Sequence, residues 1–178
     1  MAKRSDFKRV ERDYYPTPPE AVVPLIKHLP DHGTYMEPCA GDNRLVNHIT
    51  DLTKGRMKCL LSSDIEPQSH DVARIDVFDT DLAKDFDARY FITNPPWDRK
   101  ILHPLIVHLS NQRPTWLLFD ADWMHTVQSK EYMKRCVKIV SIGRVKWIEG
   151  SKMTGKDNCA WYLFDVNPLV GPTAFYGR

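Results

Sequence analysis

Apolar residues along this chain follow two rhythms. Short unbroken runs, which read as buried strands, alternate with stretches whose apolar positions recur every three or four residues, which read as amphipathic helices. TPPEAVVPLIKHL, from Thr17 to Leu29, reads as a helix with prolines in its first turn, and Thr34 to Glu37 as a strand that stops at Pro38. From Asn43 to Leu52 the apolar Leu45, Ile49 and Leu52 fall at helical spacing, and Cys59 to Ser62 is an apolar strand ending in SDIEP. Ile75 to Phe78, Ala88 to Thr93 and Thr115 to Phe119 are predicted as a third, fourth and fifth strand, with helices near 101–110 and 121–135 after the last two. Such alternation specifies a mostly parallel α/β sheet with helices on both faces. The C-terminal part departs from it: Val137 to Ile148 and Cys159 to Val166 are strand-like runs around the polar loop GSKMTGKDN, a hairpin that makes one sheet edge antiparallel.

The sharpest break in the pattern is FITNPPWDRK, residues 91 to 100. Pro95 and Pro96 lack amide donors and hold φ fixed, so the pairing of Tyr90 to Thr93 must end at Asn94. Asp98 is then placed to cap the helix that carries Ile101 to Leu109. In an open α/β sheet, ligands lie outside the carboxyl ends of the strands. The first four exits here read EPCAGDN, SDIEP, DVFD and NPPW. In the first, Ala40 and Gly41 permit close approach to the backbone, while Glu37 and Asp42 disfavour a pyrophosphate and suit a cation. Asp64 is placed to accept from ribose hydroxyls, Asp76 to accept from an adenine amine, and Phe78 to pack on the ring. Acids around a nucleoside with a positively charged tail match S-adenosylmethionine.

Composition narrows the setting. The 178 residues, 42% hydrophobic and 27% charged, are those of one ordinary globular domain, and no repeat, low-complexity segment or linker divides them. No apolar run approaches the roughly 18 residues of a membrane span, and the start MAKRSDFKRVERDYY is polar, so a cytoplasmic protein is expected. Cys39, Cys59, Cys136 and Cys159 form no CxxC pair and no metal-ligand spacing with the histidines, which predicts reduced thiols and no metal. The net charge of +2 hides an asymmetry: residues 1–98 carry 13 Lys and Arg against 17 Asp and Glu, net −4, and residues 99–178 carry 12 against 6, net +6. Basic residues also gather at Lys3, Arg4, Lys8, Arg9 and Arg12, and from Lys130 to Lys156. A polyanionic partner meeting the second half fits this distribution, as does plain solvation of exposed faces.

Taken in chain order, DYYPTP (13–18), EPCAG (37–41), DIEP (64–67), IDVF (75–78) and NPPW (94–97) resemble motifs X, I, II, III and IV of the amino-group DNA methyltransferases. RVKWIEGSKMTGKDNCAWYLF (144–164) is similar to the C-terminal part of small phage-encoded adenine methyltransferases, so the resemblance covers most of the chain. It implies a Rossmann-like class I methyltransferase fold with a seven-stranded sheet, and residues 1–178 as a single domain without a separate target recognition domain. It also implies S-adenosylmethionine as cofactor and DNA as partner, with no membrane association. Under the resemblance Tyr15, Thr17 and Pro18 line the methionine end of the cofactor. Glu37, Pro38, Cys39, Ala40, Gly41 and Asp42, then Asp64 and Ile65, then Asp76, Val77 and Phe78, and finally Asn94 complete the binding set. Where the family usually has AGxG this chain has AGDN, with Asn43 in place of the second glycine. Asparagine tolerates left-handed φ better than most residues, which keeps the turn feasible.

The chemistry implied for NPPW follows from the substrate. An adenine amino nitrogen is a weak nucleophile because its lone pair is delocalised into the ring. The Asn94 side-chain oxygen and the Pro95 carbonyl are two acceptors for its two N–H bonds, drawing the nitrogen toward tetrahedral geometry and aiming its lone pair at a sulfonium methyl. Pro95 and Pro96 hold those acceptors rigid. Trp97 then stacks on a flipped or unpaired base, a contact worth about 1–3 kcal/mol. Trp147, Lys152 and Trp161, in the basic half, are expected to face the nucleic acid, with hairpin packing and solvation as the alternative, an equal one for Trp161. The expected activity is methylation of the N6 amino group of adenine in DNA. RNA adenine and protein glutamine methyltransferases share the Asn-Pro-Pro-aromatic sequence but usually lack an N-terminal DYYPTP. The remaining alternative is a nucleic-acid-binding module without turnover, for which Asn43 is the one hint.

Overall fold

The computed structural model describes residues 15–148, 150, 154–167 and 172–178. Within them lie strands β1 (Gly33–Glu37), β2 (Met57–Asp64), β3 (Ala73–Arg74), β4 (Tyr90–Thr93), β5 (Thr115–Asp120), β6 (Cys136–Arg144), β7 (Asn158–Phe164) and β8 (Ala174–Tyr176). The helices are α1 (Pro19–Ile26), α2 (Arg44–Thr53), α3 (Leu82–Asp85), α4 (Arg99–Ser110) and α5 (Lys130–Met133). One sheet runs in the order β3-β2-β1-β4-β5-β7-β6-β8. Pairing is parallel from β3 through β5, antiparallel on both sides of β7, and parallel again between β6 and β8.

The unbroken apolar runs are explained by burial on both faces. Successive side chains of a strand point to opposite sides. Tyr35, Ile92, Trp116 and Leu118 pack on one side with Ala21, Val22 and Leu25 of α1 and Leu45 and Ile49 of α2. Their neighbours Met36, Phe91, Leu117 and Phe119 pack on the other with Leu102, Leu105, Ile106 and Leu109 of α4. On that second side Phe119, Tyr162 and Phe164 stack, with ring centroids 4.2 Å apart for Phe119 and Tyr162. The parallel order reverses between β1 and β4, which places the exits of the two strands side by side at the ligand edge.

Three elements differ from the sequence expectation. The third strand is only Ala73–Arg74, and Val77–Asp79 is a 3-10 turn. The Asp76 carboxylate accepts from the Phe78 amide at 3.0 Å, a local bond that competes with extension in IDVF. The helix expected over 121–135 is broken into 3-10 turns at Ala121–His125 and Val127–Ser129, followed by the single turn α5. Asp120 accepts from the Asp122 amide at 2.9 Å, and Thr126 is extended with its hydroxyl donating to the Trp123 carbonyl at 2.8 Å. These short side chains satisfy the backbone in place of helical bonds. The sheet also has eight strands rather than seven, because Ala174–Tyr176 adds to β6. Among the described residues no helix is long and apolar enough to cross a membrane.

Candidate active site

A pocket of about 950 Å³ opens at the carboxyl ends of β1, β2 and β4, between them and the turn after β3. Its floor is the turn between β1 and α2. Gly41 and Asn43 both have positive φ, 52° and 70°, so Asn43 does hold the left-handed position where the family pattern has glycine. The turn is stitched to the exit of β2: the Ala40 amide donates to the Ser63 carbonyl, and the Gly41 amide to a carboxylate oxygen of Asp64, each at 2.9 Å. The Gln68 amide donates to the Gly41 carbonyl at 2.9 Å. The other Asp64 oxygen accepts from the Glu66 amide at 2.8 Å. Asp64 thus shapes the loop while each of its oxygens keeps a second lone pair.

The acids of the first motif differ in environment. Asp42 is paired with Arg44, its oxygen 2.8 Å from the guanidinium Nε. Glu37 is buried, with 1% of its surface exposed, and its Oε2 has no hydrogen-bond partner in the protein. Burial, and then the nearby Asp64 and Asp42 carboxylates, push the Glu37 carboxyl well above the usual carboxylate range. An orphaned, buried acceptor that lines a pocket fits a cationic donor such as an ammonium, which would supply both the missing bond and the opposite charge. Cys39 beside it is also raised by burial, so its thiol stays protonated.

Tyr15, Thr17, Glu37 to Asp42, Asp64, Ile65, Asp76, Val77, Phe78 and Asn94 all border this pocket. Pro18 does not; its carbonyl accepts from the Ala21 amide at 3.0 Å and starts α1. Phe78 is 42% exposed, its ring tilted against His108 with centroids 5.5 Å apart. The pocket also takes in Pro16, Leu45, Glu66, Gln68, Ile75, Pro96, Asp98, Ile101 and Leu105, of which only Pro96 had been singled out from the sequence as a site residue. Ile101 and Leu105 are spaced i, i+4 on α4, a signal in the sequence that was read only as helix periodicity.

At β4 the site becomes directional. The Asn94 amide nitrogen donates to the Tyr15 carbonyl at 3.2 Å and to the Thr17 hydroxyl at 3.1 Å. A backbone carbonyl can only accept, so these partners define which end of the amide is nitrogen and turn Oδ1 the other way. Oδ1 accepts from the Trp97 indole N–H at 3.4 Å. Trp97 is half-buried and meets Trp147 edge-on, with centroids 5.7 Å apart, while Tyr15 lies 6.4 Å from Trp147. Gly155 closes under this corner: its amide donates to the Val145 carbonyl at 2.8 Å, and a Cβ there would stand 3.2 Å from Trp147 Cδ1 and 3.0 Å from that carbonyl.

One substrate contact expected from the sequence does not stand as proposed. Trp161 is fully buried, its indole N–H donating to the Ala21 carbonyl at 2.8 Å, so it joins β7 to α1 and cannot face nucleic acid. Period-2 alternation turns it into the sheet's α1 side. Lys152 lies outside the described residues, as do Asp13 and Tyr14 and the N-terminal basic cluster.

No protein-family model matches the chain, and no curated protein does. Solved structures do. A modification subunit assigned to a type I restriction enzyme of Vibrio vulnificus matches with a TM-score of 0.59 and 10% identity over 92% of this chain and 47% of that one. The M protein of the type I restriction enzyme EcoKI matches with 0.57 and 8% identity over 90% of this chain and 48% of that one. A protein from Listeria monocytogenes, assigned as a class I S-adenosylmethionine-dependent methyltransferase, matches with 0.53 and 10% identity over 88% of this chain and 64% of that one. The chain therefore spans about half to two thirds of the length of these structures, and it has the class I methyltransferase fold.

Proposed function

We propose that this protein transfers a methyl group from S-adenosylmethionine to the exocyclic N6 amino group of adenine in DNA. The observation that carries the proposal is the oriented Asn94 amide, whose nitrogen is held by Tyr15 and Thr17 so that its oxygen stands ready to accept from an amine. Pro95 and Pro96 follow at once, so the Pro95 carbonyl is held as the second acceptor with little freedom to reorganise. S-adenosylmethionine, when bound, supplies an electrophilic methyl on sulfonium. The chain's own part is to bind and aim. Glu37 would hold the cofactor's ammonium, Asp64 and Asp76 its hydroxyls and adenine amine, and Phe78 would pack on its ring. Asn94 and Pro95 would hold the two protons of the acceptor amine, one of which leaves the methylated nitrogen, finally to water.

Trp97, held by Asn94 and by the edge of Trp147, offers an aromatic wall for a base brought out of its stack. DNA is favoured as the substrate class by the net charge of +6 on residues 99–178 and by the likeness to the modification subunit and the M protein of type I restriction enzymes. Asn43 holds the left-handed φ that the turn requires, which supports a working cofactor turn. The four cysteines are free thiols, in keeping with a reducing cytoplasm. The test is transfer of tritiated methyl from S-adenosylmethionine to unmethylated DNA, RNA and protein, with Asn94→Ala as control. N6-methyladenine in DNA with the native chain and its loss in the variant is the expected result; label in RNA or protein alone, or in nothing, sinks the proposal.

A further inference from the structure

Among the described residues one apolar side chain is far more exposed than any other: Val127 at 91%, against 60% for Phe175, the next. Single exposed apolar residues are ordinary on protein surfaces, so exposure alone argues nothing. What sets Val127 apart is how firmly it is held out. It opens the 3-10 turn Val127–Ser129, and buried groups pin both flanks. Trp123, 2% exposed, donates its indole N–H to His103 Nε2 at 3.0 Å. Ser129, also 2% exposed, donates to the carbonyls of Met124 and Thr126 at 3.0 and 2.8 Å.

The turn is also joined to α4, the helix that follows the NPPW exit. Gln128 accepts through its side-chain oxygen from Arg99, two residues past Trp97 on the first turn of α4. His103, on the same helix, stacks on Tyr132 of α5 with centroids 4.4 Å apart. Segment 121–133 is thereby fixed to the helix that begins at the NPPW exit. Val127 is β-branched and stiff at χ1, so it has little rotamer freedom to lose on insertion between bases. Arg99 reaches the turn through Gln128 and Lys130 is exposed three residues past Val127, with the exposed acids Asp122 and Glu131 on the same segment; the guanidinium carries five donors, more than Gln128 uses. That setting fits a phosphate-lined partner with an apolar interior.

We propose that Val127 is a wedge that enters the base stack of double-stranded DNA beside the target adenine, filling or flanking the gap that opens as the base turns into the Asn94 site. Apolar wedges of this kind suit duplexes, whose bases must be unstacked, and add nothing to strands already unpaired. The inference rests on the proposed DNA substrate and sharpens it to duplex DNA.

The test compares methyl transfer to a duplex, to its target strand alone, and to the same duplex with an abasic position opposite the target. With Val127→Ser, a change at a side chain too exposed to disturb folding, the duplex-to-single-strand ratio of kcat/KM should fall about tenfold or more, and the abasic duplex should recover most of the loss. Val127→Phe, a larger wedge, should keep the ratio. With 2-aminopurine at the target, binding of the native chain should raise fluorescence and binding of Val127→Ser should not. An unchanged ratio in Val127→Ser overturns the wedge and leaves the methyltransferase proposal standing. Absence of transfer by the native chain to every DNA overturns both.

Discussion

At the scale of single residues, two side chains do opposite things with their polar atoms. Asn94 has its nitrogen satisfied and its oxygen aimed, the arrangement expected of a group that must not reorganise during reaction. Asn94→Ala should lower kcat by about 10²–10³-fold, the usual effect of removing one preorganised hydrogen-bonding group, with a much smaller change in cofactor affinity. Glu37 has a buried oxygen with no partner and a carboxyl pushed above its ordinary 4.5. The sign of its linkage follows. A folded-state pKa above the unfolded one means the native state holds the proton more tightly, so this contribution is fully present below about 4.5 and is lost as pH rises through the folded value. Glutamine never ionises, so Glu37→Gln should melt at higher temperature than the native chain at pH 8 with a smaller difference at pH 5, in cofactor-free protein. The same substitution removes the charge that an ammonium requires, and calorimetry should show cofactor affinity reduced by about 10–100-fold. In the native chain that affinity should rise with pH across the window in which Glu37 loses its proton.

At the scale of elements, the site depends on how α1, the β1–α2 turn and the 145–155 loop are fastened. The Trp161 indole holds α1 to β7, and α1 begins at the segment that holds Asn94. Trp161→Phe should cost about 1–3 kcal/mol through the unsatisfied Ala21 carbonyl and poorer packing. For a domain of this size that is a fall in Tm of about 2–4 °C per kcal/mol, readable by calorimetry. A protein that lost DNA binding without losing stability would show instead that Trp161 faces the substrate. A Cβ at Gly155 would crowd the Val145 carbonyl and Trp147, so one of them would have to shift by a few tenths of an ångström. The turn between β1 and α2 was legible in the sequence as a small-residue turn with a tolerant asparagine, because left-handed φ is a local property of the residue. The break of segment 121–135 was not, because it is set by Asp120, Thr126 and the tethers to His103 and Arg99, none of which changes the apolar period of the segment.

At the scale of the whole molecule, one sheet is buried on both faces, and the proposed DNA would meet the second half, where the net charge is +6. Lys100 on α4, and Lys146 and Lys156 near Trp147 and Gly155 in sequence, are exposed cations among the described residues. Charge reversal at Lys100 or Lys146 should weaken binding to all DNA sequences alike and reduce the slope of log affinity against log salt by roughly one for each phosphate no longer neutralised, measured by fluorescence anisotropy. The thiols report on the same burial: Cys59, Cys136 and Cys159 are each pushed up to about 12 by desolvation. Iodoacetamide at pH 7.5 should therefore leave them unmodified in the native protein and alkylate them on unfolding, as mass spectrometry would show.

The sequence by itself determined the alternation of strands and helices, the end of β4 at two prolines and the cluster of acids at the strand exits, because each depends on local periodicity or on one residue's backbone. Only the tertiary structure decided that Trp161 lies inside, that Asp64 also holds the β1–α2 turn, that Ala174–Tyr176 adds an eighth strand, and which way the Asn94 amide faces. These depend on partners distant in sequence: Ala21 is 140 residues from Trp161 and Tyr15 is 79 from Asn94. A pattern of apolar positions states that a residue is buried or that a strand ends. Which acceptor a buried N–H finds is settled only when the elements close on one another.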